Sequence, residues 1–128
     1  MKPIQILSID DDQLLLATLV EYFALCHQWI ACPAQGPEQA LDLIQRQRFD
    51  AVTTDIMHPG MDGLAFTQQV HDLGGPPVII MSGYEYPGKR EEAFASGTHA
   101  CLRKPFKLER LAEIIKLVTM GVPYIGDG

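Results

Sequence analysis

The sequence predicts an α/β fold, a doubly wound, five-stranded parallel sheet with five helices packed on its two faces. Two observations carry that prediction. Short runs of β-branched and apolar residues alternate five times with longer segments of helical character, the signature of repeated strand-helix units. The strand runs are also continuously apolar rather than alternating, as in a parallel sheet covered on both sides. Right-handed crossovers then leave few topologies.

The first strand is Ile4-Gln5-Ile6-Leu7-Ser8-Ile9, stopped by three acids, Asp10-Asp11-Asp12. Residues 13–27 are too long for a strand and rich in Leu and Ala, so they predict a helix, with Asp12 or Asp11 near its N-cap. Residues 29–33 form a short second strand, and Pro37 opens a second helix that runs to Gln47, with Ala40, Leu41 and Ile44 at helical spacing. Ala51-Val52-Thr53-Thr54 is the third strand, ended by Asp55 and followed by the turn-rich His58-Pro59-Gly60-Met61-Asp62-Gly63. A third helix follows over residues 64–72, with Asp62 as its cap. Val78-Ile79-Ile80-Met81 is the fourth strand, ending at Ser82-Gly83, and a charged fourth helix runs from about Gly88 to Gly97. The fifth strand, residues 100–103, leads into Lys104-Pro105. The last helix, Leu108 to about Met120, places Leu108, Leu111, Ala112, Ile115 and Val118 on one face.

Composition narrows the function classes. At 128 residues the chain is one domain, and 47% apolar with 20% charged residues is ordinary globular usage, which excludes a disordered tail, a collagenous repeat and a coiled coil. Ten basic against 16 acidic residues give a net charge of −6, so there is no basic footprint for direct nucleic-acid binding. No run approaches the roughly 18 apolar residues that span a bilayer, and the first residues lack the h-region of a signal peptide. Cys26, Cys32 and Cys101 are an odd number without C-x-x-C spacing, which fits reduced, packed thiols in a reducing compartment. The expected location is cytoplasmic, with no membrane partner.

The polar residues at the strand ends are the place to look for chemistry, because open parallel sheets bind ligands beyond the carboxyl ends of their strands. Those residues are Asp10 and Asp11 after the first strand, Asp55 after the third, Ser82 after the fourth and Lys104 after the fifth. Three converging carboxylates repel one another, so they need a raised pKa, a cation, or both. Oxygen-only ligands suit a hard divalent ion such as magnesium, which shares its shell with water and phosphate oxygens. With a lysine charge and a serine hydroxyl beside it, the constellation is suited to hold a phosphoryl group next to a carboxylate nucleophile.

At these residues the sequence resembles the receiver domain of two-component response regulators, the CheY-like phosphoacceptor family, over residues 4–119. Ile9-Asp10-Asp11-Asp12 resembles its acidic pair, Asp50 through Asp55 to Gly63 its phosphoacceptor segment, Met81-Ser82-Gly83 its hydroxyl position and Arg103-Lys104-Pro105-Phe106 its Lys-Pro turn. The resemblance implies the flavodoxin-like strand order 2-1-3-4-5 and a signalling domain rather than an enzyme, one that assists its own phosphorylation. Asp55 would accept a phosphoryl group from a sensor histidine kinase or histidine phosphotransfer protein. Asp11, Asp55 and the Met57 backbone carbonyl would bind Mg²⁺ directly, and Asp10 mainly through water. Lys104 and Ser82 would contact the phosphoryl oxygens, and Lys104-Pro105 would be a cis peptide.

The chain departs from the family at Cys101, where a Tyr or Phe usually accompanies the movement of Ser82. Switching would then run through the loop from Ser82 to Gly88 and the fourth helix, with Tyr84 and Tyr86 as substitutes. Met57 and Tyr84 border the path of the hydrolytic water and neither is a base, so slow loss of the phosphoryl group is expected. Output would come from a downstream protein target or a homodimer through the fourth helix, fifth strand and fifth helix. The receiver is placed at residues 1–120, with 121–128 a tail or a truncated linker, and the alternatives are a fragment of a longer regulator or a degenerate scaffold. A haloacid-dehalogenase-type phosphatase is disfavoured by Met57, which stands where that family wants a second Asp, and a Rossmann-like nucleotide site by the aspartates in place of a Gly-rich loop. His27, His58, His71 and His99 lack ligand spacing for zinc. The surplus of leucines in the first helix fits either deeper burial or a docking patch for the phosphodonor.

Overall fold

Five parallel strands pair in the order β2-β1-β3-β4-β5, as the sequence reading expects. The structure, a computed structural model, describes residues 2–55, 63–82 and 98–121. Within them lie β1 (Gln5–Ile9), α1 (Gln13–His27), β2 (Ile30–Ala34), α2 (Pro37–Arg46), β3 (Ala51–Asp55), α3 (Gly63–Asp72), β4 (Val78–Ser82), β5 (Ala100–Arg103) and a C-terminal helix (Leu108–Thr119). Four of the five expected helices are therefore among the described residues. The expected fourth helix, from Gly88 to Gly97, lies outside them, as do the Asp62 cap and the loop carrying Tyr84 and Tyr86.

The alternation of side chains across the strands builds two cores. Ile6, Ala51, Ile79, Met81, Ala100 and Leu102 meet Leu19 and Phe23 of α1 and Leu111, Ile114 and Ile115 of the C-terminal helix on one face. On the other, Leu7, Ile9, Val52, Val78 and Ile80 meet Ala40 of α2 and Leu64, Phe66 and Val70 of α3. Both faces are covered, so the strands carry apolar residues at successive positions instead of every second one.

Helix ends follow local chemistry. Asp12 caps α1, its side chain accepting from the Leu15 N–H at 3.1 Å, which satisfies one of the orphan donors of the first turn. At the other end Gln28 takes a left-handed conformation (φ 58°), and the Phe23 carbonyl accepts from the Gln28 and Trp29 N–H groups. This turn consumes Trp29, so β2 begins one residue later than expected, with the Ile30 N–H donating to the Ile4 carbonyl. Trp29 instead packs under α1, stacked on His27 and tilted against Phe23. Pro37 sits in the first turn of α2, where its missing N–H costs nothing. Gly74, at φ 68°, turns the chain out of α3 toward β4.

The leucine surplus of α1 is not resolved by deeper burial. Leu16, Leu19 and Phe23 are buried, whereas Leu14 and Leu25 are 77% and 75% exposed.

Candidate functional site

The parallel register brings the acidic strand ends to one rim. Ser8 pairs with Thr53 and Ile9 with Thr54, so the residues that follow, Asp10 and Asp55, emerge side by side from β1 and β3. Asp11 joins them, and one carboxylate oxygen from each of Asp10, Asp11 and Asp55 lies within 4.8 Å of the others. β5 delivers Lys104 to the same place from 94 residues away in sequence.

Asp10 is 1% exposed and its carboxylate is doubly engaged. Oδ1 accepts from the Asp12 N–H at 2.9 Å and Oδ2 from Lys104 Nζ at 2.8 Å. Lys104 Nζ also donates to Asp55 Oδ2 at 3.2 Å, so one ammonium spans both carboxylates. Burial acts to lower the Lys104 pKa, but hydrogen bonds and Coulombic attraction to Asp10 and Asp55 outweigh it and hold the ammonium above its ordinary value of 10.5. The Lys104–Pro105 peptide is cis.

Asp12, expected as a cap, serves twice, since its side chain caps α1 while its N–H holds Asp10. β4 ends on Ser82, opposite Arg103 of β5, which puts its backbone on the same rim. Cys101, partly buried, packs against the core beside α2 and α3. Met57, Tyr84 and His58 lie outside the described residues. Two hydroxyls that sequence reasoning passed over lie beneath the rim, where Thr53 Oγ1 donates to Ser8 Oγ at 2.9 Å with both residues fully buried. The signal for them was present, because each stands two residues before an acid on a paired strand.

The donor set fits a hard divalent cation, three carboxylates with no sulfur or imidazole among them. A hollow of about 610 Å³ opens at the opposite end of the sheet, lined by Ile44, Phe49, Leu73, Pro76 and Val118 among others, and none of the rim residues reaches it.

Comparison with known proteins agrees with this fold. Residues 6–116 match the family model described as response regulator receiver domain. The chain is 32% identical over 115 residues to the heme response regulator HssR of Staphylococcus aureus (strain Newman), a match covering 90% of this chain and 51% of that protein. It is also 32% identical to the response regulator MprA of Mycolicibacterium vanbaalenii, covering 98% of this chain and 55% of that one. The chain thus spans about half the length of the curated relatives it matches. Among solved structures, the receiver domain of Francisella response regulator 1452 superposes with a TM-score of 0.85 at 25% identity, covering 94% of this chain and 98% of that one. The chemotaxis protein CheY4 of Vibrio cholerae gives 0.84 at 24% identity, covering 91% and 99%, and at that identity shows the fold alone.

The chain belongs to the response regulator receiver domain family, the signalling domain of two-component systems. Among the described residues no helix is long and apolar enough to cross a membrane.

Proposed function

We propose that this receiver is a Mg²⁺-dependent phosphoacceptor with Asp55 as its nucleophile. The observation that carries the reading is the single Lys104 ammonium spanning Asp10 and Asp55 within a three-carboxylate cluster. An Asp55 carboxylate oxygen forms the new O–P bond as the P–N bond of a donor phosphohistidine breaks, and the leaving imidazole keeps the electron pair. Lys104, already at the acceptor carboxylate, offsets phosphoryl charge, and the Ser82 hydroxyl donates to a phosphoryl oxygen. Asp10, Asp11, Asp55 and the Met57 carbonyl would hold the metal. When bound, Mg²⁺ neutralises charge on the phosphoryl oxygens and orients them for in-line transfer.

The donor is a sensor histidine kinase or a histidine phosphotransfer protein, and the exposed Leu14 and Leu25 on α1 fit it as a docking patch. Residues 1–120 form the receiver and 121–128 a tail or linker. The longer relatives HssR and MprA support the view that the same unit works within a larger regulator. Output passes to a protein target or through a homodimer rather than through direct nucleic-acid contact by this acidic domain, and the setting is the cytoplasm.

Intact-protein mass after incubation with acetyl phosphate, with and without Mg²⁺, tests the reading. A Mg²⁺-dependent, base-labile adduct absent from Asp55→Asn is expected. An adduct that persists in the variant, or none in the folded wild type, contradicts it and leaves a scaffold.

A further inference from the structure

Ser8 and Thr53 place two hydroxyls in a layer that is otherwise apolar. They stand opposite one another in β1 and β3, on the face that also carries Ile6, Ala51, Ile79 and Met81, and both are fully buried. Thr53 Oγ1 donates to Ser8 Oγ at 2.9 Å. Filling the layer does not require this bond, because an apolar pair of the same shape would leave no polar group unsatisfied.

Its place beneath the rim is informative. Side chains two residues apart along a strand share a face, so Ser8 lies one step below Asp10 and Thr53 one step below Asp55. The β1–β3 register runs to Ile9 and Thr54, which leaves Asp10 beyond the last paired residue of its strand. Apolar carbons would stand about 3.5–4.0 Å apart, so the hydroxyl bond holds the two side chains closer than an apolar pair could. Being directional, it also restrains how the strand ends rotate against each other.

We propose that the Ser8–Thr53 bridge is a positioning pair for the phosphoacceptor site, holding β1 and β3 so that one cation spans the carboxylates of Asp10 and Asp55. Lys104 Nζ reaches both carboxylates in this way, at 2.8 and 3.2 Å. The proposal deepens the phosphoacceptor reading and rests on it. Neither hydroxyl touches the reacting atoms, and both act through the backbone that carries Asp10 and Asp55.

The test compares wild type, Thr53→Val, Ser8→Ala, the double variant and the hydroxyl-retaining Thr53→Ser, all in the full chain. Three quantities are read: stability in urea, affinity for Mg²⁺ alone by calorimetry, and the rate of phosphoryl uptake from acetyl phosphate. Thr53→Val strands the Ser8 hydroxyl and lowers stability, whereas the double variant removes both partners and stays near wild type. At that equal stability the double variant is expected to bind Mg²⁺ about tenfold more weakly, the scale of a lost supporting interaction at a metal site, and to take up phosphoryl more slowly. Thr53→Ser retains both properties. Wild-type Mg²⁺ affinity in the double variant overturns the proposal and reduces the bridge to packing, and so does an equal loss in Thr53→Ser. If the double variant does not fold, the two single variants decide by the same criterion of Mg²⁺ affinity. A wild type that neither binds Mg²⁺ nor takes up phosphoryl would instead remove the phosphoacceptor reading itself, a failure visible before any variant is compared.

Discussion

Lys104 is the residue on which the rim balances. Replacing it by Met leaves the buried Asp10 carboxylate with the Asp12 N–H and removes the ammonium shared with Asp55. A charged hydrogen bond of this kind contributes about 2 kcal/mol, so Lys104→Met is expected to lower stability by that order in metal-free buffer. Added Mg²⁺ restores part of the loss by supplying a replacement cation. Urea unfolding with chelator and with Mg²⁺ measures both effects, and a variant as stable as wild type in chelator would contradict the balance described.

Two histidines away from the rim set a pH dependence. Burial, then the Lys116 ammonium, holds His27 below its ordinary 6.5, and burial, then His71, does the same to His99. As pH falls below 6.5 the unfolded chain takes up these protons first, so stability declines until the folded histidines protonate as well. The urea midpoint should therefore drop between about pH 7.5 and about pH 5.5, and His27→Gln should flatten part of that drop. An unchanged profile in His27→Gln would show that burial and the Lys116 ammonium do not disfavour its protonation. Nothing in the sequence foretells this cluster, because Tyr22, His27, Trp29 and Lys116 meet only when the end of α1 is laid beside the C-terminal helix.

At the scale of the element, α1 separates burial from exposure along one apolar sequence. Phe23 is fully buried between α1 and the sheet, and Phe23→Ala is expected to cost about 3–5 kcal/mol. Leu25→Ala, at an exposed position, should change stability by no more than about 0.5 kcal/mol. Thermal or urea unfolding of the two variants checks the contrast. If donor docking uses the exposed leucines, Leu25→Ala slows transfer from a phosphohistidine partner while leaving uptake from acetyl phosphate intact.

Element identity was legible because each run of apolar residues ends at a chemical stop: the aspartates after β1, Asp55 after β3, Pro37 ahead of α2. The boundary of β2 was less so. Its start depends on the left-handed turn at Gln28, a residue with no strong preference for that conformation, and on Trp29 finding a ring partner in His27. Composition also could not show which of the apolar positions of α1 face water, since that is decided by where β1 and β2 lie under the helix.

At the scale of the molecule, the site exists because the sheet gathers residues that the chain keeps far apart. Asp10 and Lys104 are 94 positions apart and 2.8 Å distant. The sequence shows which residues stand at strand ends, and parallel order puts those ends on one rim, so the acids and the lysine are expected together. The pairing among them could not, because it depends on the register of β1 with β3, on the reach of Lys104 and on the N–H that Asp12 turns toward Asp10. The Ser8–Thr53 bond belongs to the same category, visible only once the register is known.

The central claim is that Asp55 is the residue that carries the phosphoryl group. The most direct measurement treats protein exposed to acetyl phosphate and Mg²⁺ with borohydride, which reduces an aspartyl phosphate to homoserine, and maps the product by tandem mass spectrometry. Homoserine at position 55 alone, lost without Mg²⁺ and in Lys104→Met, is the predicted result. Homoserine at Asp10 or Asp11, or none in folded protein, would contradict the assignment.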